Sequence, residues 1–298
     1  MKQESQDWLK ILFCWRGSVI PAILPQVAIC ALFSLFISLI DVRGFNLGLP
    51  LAGGIVPSIV LGLLLVFRTN TAYERFWEGR KIWGAIVNTS RNLARSIWVS
   101  IEERNSEDTG EKIAALRLLI AFAVAMKLHL RSEPVSPELA RLLEGDRYEK
   151  LKEMNNPPLE IAFWLGDYLQ RQQDTDRVNS YQLVAMFKLL DILVDSLGAC
   201  ERILKTPIPL AYAIHLKQLL FIYCLTLPFQ VVNELKLWTA FFVSLVSFTV
   251  FGIEAIGIEI ENPFGHDRND LPLDKICETM ERNIEDLISL SPSANRWK

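Results

Sequence analysis

The sequence lacks the residue patterns on which most enzymatic sites are built. It has no glycine-rich phosphate loop, no GxSxG nucleophile turn and no HExxH metal motif. Its histidines, His129, His215 and His266, lie far apart, and none is spaced with cysteine or carboxylate as metal ligands usually are. We therefore expect no enzymatic activity.

The chain also lacks a disulfide framework and a basic charge excess. Its five cysteines are odd in number and scattered, without a CxxC pair, so we expect reduced, mostly buried thiols. The net charge of -3 gives no general attraction to nucleic acid. The N-terminal residues 1–17 carry acidic and polar side chains ahead of their apolar run, unlike a cleaved signal peptide.

What the sequence does contain is long apolar runs, with a mean hydropathy of +0.24. A helix needs about 20 mostly apolar residues to cross the hydrocarbon core of a bilayer. The runs that meet or approach this length are residues 17–40, 47–67, 216–232 and 237–253. Since the link DVRGFN joins the first two and NELK the last two, the sequence predicts an all-α membrane protein with four transmembrane helices in two hairpins.

Basic residues predict the orientation of these helices. The side that holds both chain ends carries many of them, including Lys2, Lys10, Arg16, Arg68 and Arg75, whereas the opposite side has only Arg43 and Lys236. Cytoplasmic loops are enriched in lysine and arginine. We therefore expect a multi-pass protein of the cell (inner) membrane with both termini in the cytoplasm.

The section between the hairpins is predicted to be a large helical cytoplasmic region, because apolar faces recur in it at helical spacing. One helix, within residues 111–131, is nearly apolar enough to be a further span. Arg117 and Lys127 leave too short an uncharged run, which favours a buried cytoplasmic helix. The sequence therefore predicts four parts. They are an N-terminal segment with the first hairpin (residues 1–67), the cytoplasmic region (68–206), an aperture segment with the second hairpin (207–260) and a cytoplasmic tail (261–298).

Four well-separated stretches of the chain resemble the bestrophin family, in particular its bacterial branch. They are FRTNTAYERFWEGRKIWG (67–84), LVDSLGACERILKTPIPLAYAIHLKQLL (193–220), LPF (227–229) and IEIENPFGHDRNDLPLD (258–274). The resemblance implies an ion channel, a homopentamer around one axial pore, which lies in membrane lipid and conducts small inorganic ions. It implies no required cofactor.

The resemblance also implies a narrow apolar neck, to which each subunit contributes its second span. The matching positions are Ile55, Ile59 and Leu63. Their spacing of i, i+4 and i+8 independently allows one helix face. Packing of this stripe against another span is the alternative, and it is the usual role of aliphatic stripes.

A second constriction is implied at the cytoplasmic mouth, where the match places Ile208 within Thr206-Pro207-Ile208-Pro209. Two prolines prevent a regular helix there, although a plain linker between helices has the same composition. On the helical phase of Ile59 and Leu63, Asn70 and Glu74 are possible vestibule-lining residues.

The family is best known for chloride and related anions, so we expect an anion channel. Animal members carry phenylalanine rings where this chain has Ile59 and Leu63, which keeps a sodium- or potassium-type cation channel of the same architecture as an alternative. A membrane-anchored assembly or sensor protein and a secondary transporter are the alternatives from other classes.

In animal bestrophins, the tail after the fourth span forms a calcium site from carbonyl groups and a run of acids. The matching residues here are His266-Asp267-Arg268-Asn269-Asp270. Asp267 and Asp270 remain, but an arginine among the ligands weakens calcium binding. We expect no functional calcium site, with hydrogen bonds to backbone or arginine as the role of these aspartates. We expect Glu254 and Glu259 likewise to pair with cytoplasmic arginines.

Overall fold

The computed structural model describes residues 10, 14–49, 55–143 and 145–290, and the regular secondary structure among them is entirely helical. The helices in chain order are α1 Ile20–Val42, α2 Ile55–Ser100, α3 Ser106–Leu130, α4 Pro137–Ala140, α5 Arg147–Lys152, α6 Pro157–Asp174, α7 Ser180–Lys205, α8 Leu210–Leu235, α9 Thr239–Glu259 and α10 Leu273–Ser289. A 3-10 turn, Lys236–Trp238, joins α8 to α9.

The chain forms two compact units. The first consists of Met1–Phe76 and Pro207–Asn269, and the second of Trp77–Thr206 and Asp270–Lys298. Helix α2 belongs to both, because the division falls within it, after Phe76. The domain boundaries predicted from the sequence follow membrane topology instead and stay a prediction.

The core of the first unit is apolar and is built from α1, α8, α9 and the start of α2. Helix α1 packs chiefly on α9 and also on α8. Ile23, Cys30, Leu65, Cys224 and Val243 are buried together at the centre of these contacts. Dispersion contacts between these side chains hold the helices together.

An ion pair and a backbone hydrogen bond join the turn regions of the two predicted hairpins. The ammonium of Lys236 lies 3.0 Å from the Oδ2 atom of Asp41, whose carboxylate is buried. The backbone N–H of Leu49 donates to the carbonyl oxygen of Phe229 at 2.9 Å. Residues 46–49 are therefore not helical, and the prediction that a helix begins at Leu47 is wrong.

Helix α2 is one continuous helix of 46 residues, and the sequence has no turn signal between its apolar and its charged part. At 1.5 Å per residue it is about 70 Å long, and no break occurs where apolar residues end at Phe67 and charged residues begin at Arg68. Pro57 lies near the start of this helix as the structure describes it.

Three helical stretches of the described chain are long and apolar enough to cross a membrane: Ile20–Val42, Ser106–Leu130 and Leu210–Glu259. They differ in burial. The apolar window of Ser106–Leu130 is 78% buried within the protein, against 28% and 33% for the other two. This burial agrees with an interior helix, because a lipid-facing helix leaves much of its apolar surface to the hydrocarbon.

The second unit is built around α3, which packs on α6, α7 and α10. Its buried Lys127 is bound by Glu138 at 3.1 Å and by Asp274 at 3.0 Å. Burial alone would raise the pKa of Asp274, but hydrogen bonds from Lys127 and Arg131 hold that pKa below its ordinary value. A buried lysine compensated by two carboxylates has no need of an aqueous surface, which explains how it fits within so apolar a helix.

Candidate pore-lining site

The first part of α2 has two opposite faces. Leu61, Leu65, Arg68 and Ala72 are buried against the rest of the first unit. Successive residues of an α-helix are 100° apart, so these four lie on one narrow stripe. The opposite stripe contains Ile59 and Leu63, which are 57% and 52% exposed.

The exposed stripe continues past the apolar part of α2. Asn70 and Glu74 are exposed and lie on the same side of the helix as Ile59 and Leu63. Ile55 is the first residue of α2, and its side chain lies outside the described residues. The structure therefore directs four of the predicted neck and vestibule residues away from the chain's own core, which leaves them open to other subunits or to an axis.

Glu261, just after α9, connects the two regions predicted to form the pore. Its Oε2 atom accepts from Nη2 of Arg68 at 3.1 Å, and its Oε1 atom accepts from the backbone N–H of Ile208 at 2.9 Å. Its carbonyl oxygen accepts from Nε of Arg75 at 3.1 Å. One glutamate thus joins α2, the segment before α8 and the end of α9.

The side chain of Arg68 packs against a glycine of α9. A Cβ atom at Gly257 of α9 would lie 3.6 Å from Cγ and 3.7 Å from Nε of Arg68. The side chain of Arg68 therefore crosses α9 in close contact with its backbone and is only 3% exposed. Sequence reasoning missed Glu261 as an anchor, although the ENPFG motif that contains it was a signal.

Ile208 lies in the non-helical link between α7 and α8, as the two prolines predict. It is half-buried, and its backbone is held by Glu261. Tyr212, in the first turn of α8, donates to the carbonyl oxygen of Leu64 in α2 at 2.8 Å. The link is therefore held close to the same part of α2 that carries the exposed stripe.

The arginines next to the neck are directed toward protein partners. Arg68 is buried and Arg75 is half-buried, and both donate to Glu261. Glu259, expected to pair with an arginine, accepts from the amide of Asn269 at 2.8 Å. Among the residues on the exposed stripe, Glu74 is the charged one.

The candidate calcium run follows the end of α9. Asn269, between Asp267 and Asp270 in the sequence, donates both to Glu259 and to the carbonyl oxygen of Gly17. In the described part of the chain, no three His, Cys, Asp or Glu side chains group closely enough to hold a metal ion.

Apolar helix pairs, a buried junction of charges at their ends and an exposed aliphatic stripe define a helical membrane protein. The chain matches the description Bacterial/Fungal Bestrophin protein over residues 1–286, and it belongs to the bestrophin family. This is a family of ion channels, so the predictions of a channel-type membrane protein and of no enzymatic activity are confirmed.

Relatives and solved structures agree with this assignment. A voltage-dependent anion channel-forming protein of Synechocystis is 62% identical over 96% of this chain and 93% of its own length. One named YneE, from Escherichia coli, is 31% identical over 95% of this chain and 92% of its own. A bestrophin homologue of Klebsiella pneumoniae with a Y211A mutation superposes with a TM-score of 0.81 at 27% identity, covering 89% of this chain and all of that one.

Proposed function

We propose that the protein is an anion channel of the cell membrane, a homopentamer whose subunits each contribute the exposed stripe of α2 to an axial pore. The observation that carries the proposal is the stripe itself. Ile59, Leu63, Asn70 and Glu74 face away from the core of their own chain, and apolar side chains in that position need either lipid, a neighbour or a narrow axis. In a symmetric ring of subunits, such side chains contact a neighbouring subunit or face the narrow axis.

The proposed mechanism is gating by dewetting. Rings of Ile55, Ile59 and Leu63 offer a permeating ion no group that replaces its hydration shell. Such a ring excludes water and ions when narrow and conducts after slight dilation. Asn70 and Glu74 would then lie in a wider, wet vestibule on the cytoplasmic side, with both chain ends in the cytoplasm. The mechanism requires no cofactor, and we assign no calcium dependence.

The choice of anions is supported by the relatives, which include the voltage-dependent anion channel-forming proteins of Synechocystis and Escherichia coli. One observation favours a cation channel of the same architecture as the second candidate. Glu74 brings a negative charge to the exposed stripe, while Arg68 and Arg75 are bound to Glu261. A ring of glutamates is typical of cation pores.

A bilayer recording under a gradient of sodium chloride decides between the two. We expect a reversal potential close to the equilibrium potential of chloride. Replacement of chloride on one side of the bilayer by a large organic anion should abolish the current that chloride carries from that side. A reversal potential near that of sodium would establish the cation channel instead. Purified pentamers without current would favour an assembly or sensor protein, and slow, saturable, co-substrate-dependent flux would favour a transporter.

The second proposed constriction is at Ile208. Because the link that carries it is anchored to Glu261 through the backbone, alanine at position 208 removes the side chain while keeping the anchor. We expect Ile208→Ala to change rectification or selectivity and to leave the stability of the protein near that of the wild type. Recordings in symmetrical salt and in a gradient measure both properties, and unchanged currents would refute this position of the aperture.

A further inference from the structure

The first unit contains a cavity of about 350 Å³ between α1, α8 and α9. Most of its wall is apolar, formed chiefly by Ile23, Leu220, Phe221, Phe251 and Ile258. Three polar side chains also line it: Gln26, Lys217 and Glu254. An apolar cavity with a few convergent polar groups is the usual form of a ligand site.

Glu254 is the most unusual residue of this wall. It is 8% exposed, and its Oε1 atom has no hydrogen-bond partner in the described structure. Arg68 and Lys217 are the cations close enough to act on it electrostatically. Arg68 is bound to Glu261, and no ion pair joins Lys217 to Glu254 in the described part of the chain. A carboxylate buried without a donor is costly, and within a membrane such a residue indicates a functional site.

The other two polar residues of the cavity differ in character. Gln26, in the orientation that satisfies its hydrogen bonds, donates its amide nitrogen to the carbonyl oxygens of Ala22 and Ile23 at 2.9 and 3.0 Å. Its own carbonyl oxygen is then available as an acceptor. Lys217 is exposed and supplies a cation at the same cavity. The wall thus offers two hydrogen-bond acceptors, from Glu254 and Gln26, and one positive charge, from Lys217.

The position of the cavity along the helices also bears on its occupant. Ala22 is near the start of α1, Lys217 is two turns into α8, and Ile258 is at the end of α9. These ends belong to the same side of the apolar helices, where the hydrocarbon gives way to the headgroup region of a bilayer. Phe221 and Ile258 are partly exposed beside the cavity and can contact acyl chains.

We propose that this cavity binds the headgroup of a phospholipid that carries a primary ammonium, such as phosphatidylethanolamine. The ammonium donates to Glu254 and Gln26, and the phosphate pairs with Lys217. A primary ammonium has three N–H donors, whereas the quaternary ammonium of phosphatidylcholine has none. The proposal does not depend on which ion the protein conducts or on whether it conducts.

Native mass spectrometry of the full-length protein, released from mixed nanodiscs, measures which lipids stay bound. We expect the wild type to retain phosphatidylethanolamine about tenfold more than phosphatidylcholine, as expected for one charge-assisted hydrogen bond. Glu254→Gln should abolish this preference. The matched control is Glu259→Gln, the same change five residues later in α9 at a side chain that does not line the cavity; it should retain the preference.

Two results would overturn the proposal: equal retention of both lipids by the wild type, or an unchanged preference in Glu254→Gln. If Glu254→Gln does not fold, Lys217→Gln at its exposed position provides the test. Loss of one charged contact to phosphate should lower retention of both lipids, and unchanged retention would refute the phosphate contact. The same headgroup chemistry is present in the lipid and in free phosphoethanolamine, and a binding measurement with soluble phosphoethanolamine separates the two. If the free headgroup binds as tightly as the lipid, the site is not a lipid site.

Discussion

Replacing Leu63 by alanine should raise the single-channel conductance several-fold. Leu63 is 52% exposed on the stripe of α2 that faces away from its own chain. In a five-fold ring, truncation to alanine widens the apolar constriction and lowers the barrier to water and ions. The same reason applies to Ile59, and the double substitution should conduct at least as well as either single one. Single-channel recording in symmetrical chloride measures the effect.

Leu61→Ala provides the matched control for this prediction. It removes the same atoms from the same helix, but from a side chain that is 6% exposed and packed in the core of the first unit. We expect a stability loss of about 2–5 kcal/mol, typical of a buried leucine, with unchanged conductance in the channels that remain. If Leu61→Ala and Leu63→Ala have the same conductance, the exposed stripe does not line the pore.

Much of the helical organisation could be predicted because it depends on local composition. Apolar residues followed by charged residues with no turn signal predict one long helix, and α2 is continuous from Ile55 to Ser100. The phase of Ile59 and Leu63 could also be predicted, since a helix has a fixed period. What local pattern cannot predict is where helices begin in an apolar run. Residues 47–49 belong to an apolar run but are not helical, and α8 begins at Leu210 rather than at residue 216.

The junction at Glu261 is the part of the candidate site that a single sequence could not predict. Its partners Arg68 and Ile208 are 193 and 53 positions away in the chain. The ENPFG motif distinguishes Glu261 from Glu254 and Glu259, but it does not indicate which residues Glu261 contacts. Their roles differ through packing, because the side chain of Arg68 lies against Gly257 of α9 and reaches the carboxylate just after the end of that helix.

Removing the charge of Glu261 is expected to destabilise the protein strongly. Glu261→Gln keeps the shape of the side chain and an acceptor for the N–H of Ile208, but leaves Arg68 without its carboxylate. Arg68 is 3% exposed, and its Nε and Nη1 atoms already have no hydrogen-bond partner in the described structure. Loss of one partner from a buried ion pair costs about 3–5 kcal/mol. Denaturation of the purified protein in detergent measures this loss.

The exposed ion pair of Glu78 and Arg202 in the second unit provides a control. Its N–O distance is 3.1 Å, equal to that between Arg68 and Glu261, but its side chains are 44% and 65% exposed. Exposed pairs contribute less than about 1 kcal/mol. Glu78→Gln should therefore lower the free energy of unfolding by less than that amount, and an equal loss in both variants would contradict a role for burial.

A second substitution separates charge from packing at Glu261. In the double variant Arg68→Met with Glu261→Gln, no charge is left buried without a partner, and glutamine still accepts from Ile208. Since replacement of a whole buried pair by apolar and neutral groups is often neutral, we expect most of the lost stability to return. A double-mutant cycle gives the coupling energy of the pair. If the two losses simply add, the buried charge of Arg68 is not what Glu261 compensates, and the anchoring of Ile208 by its second oxygen becomes the explanation.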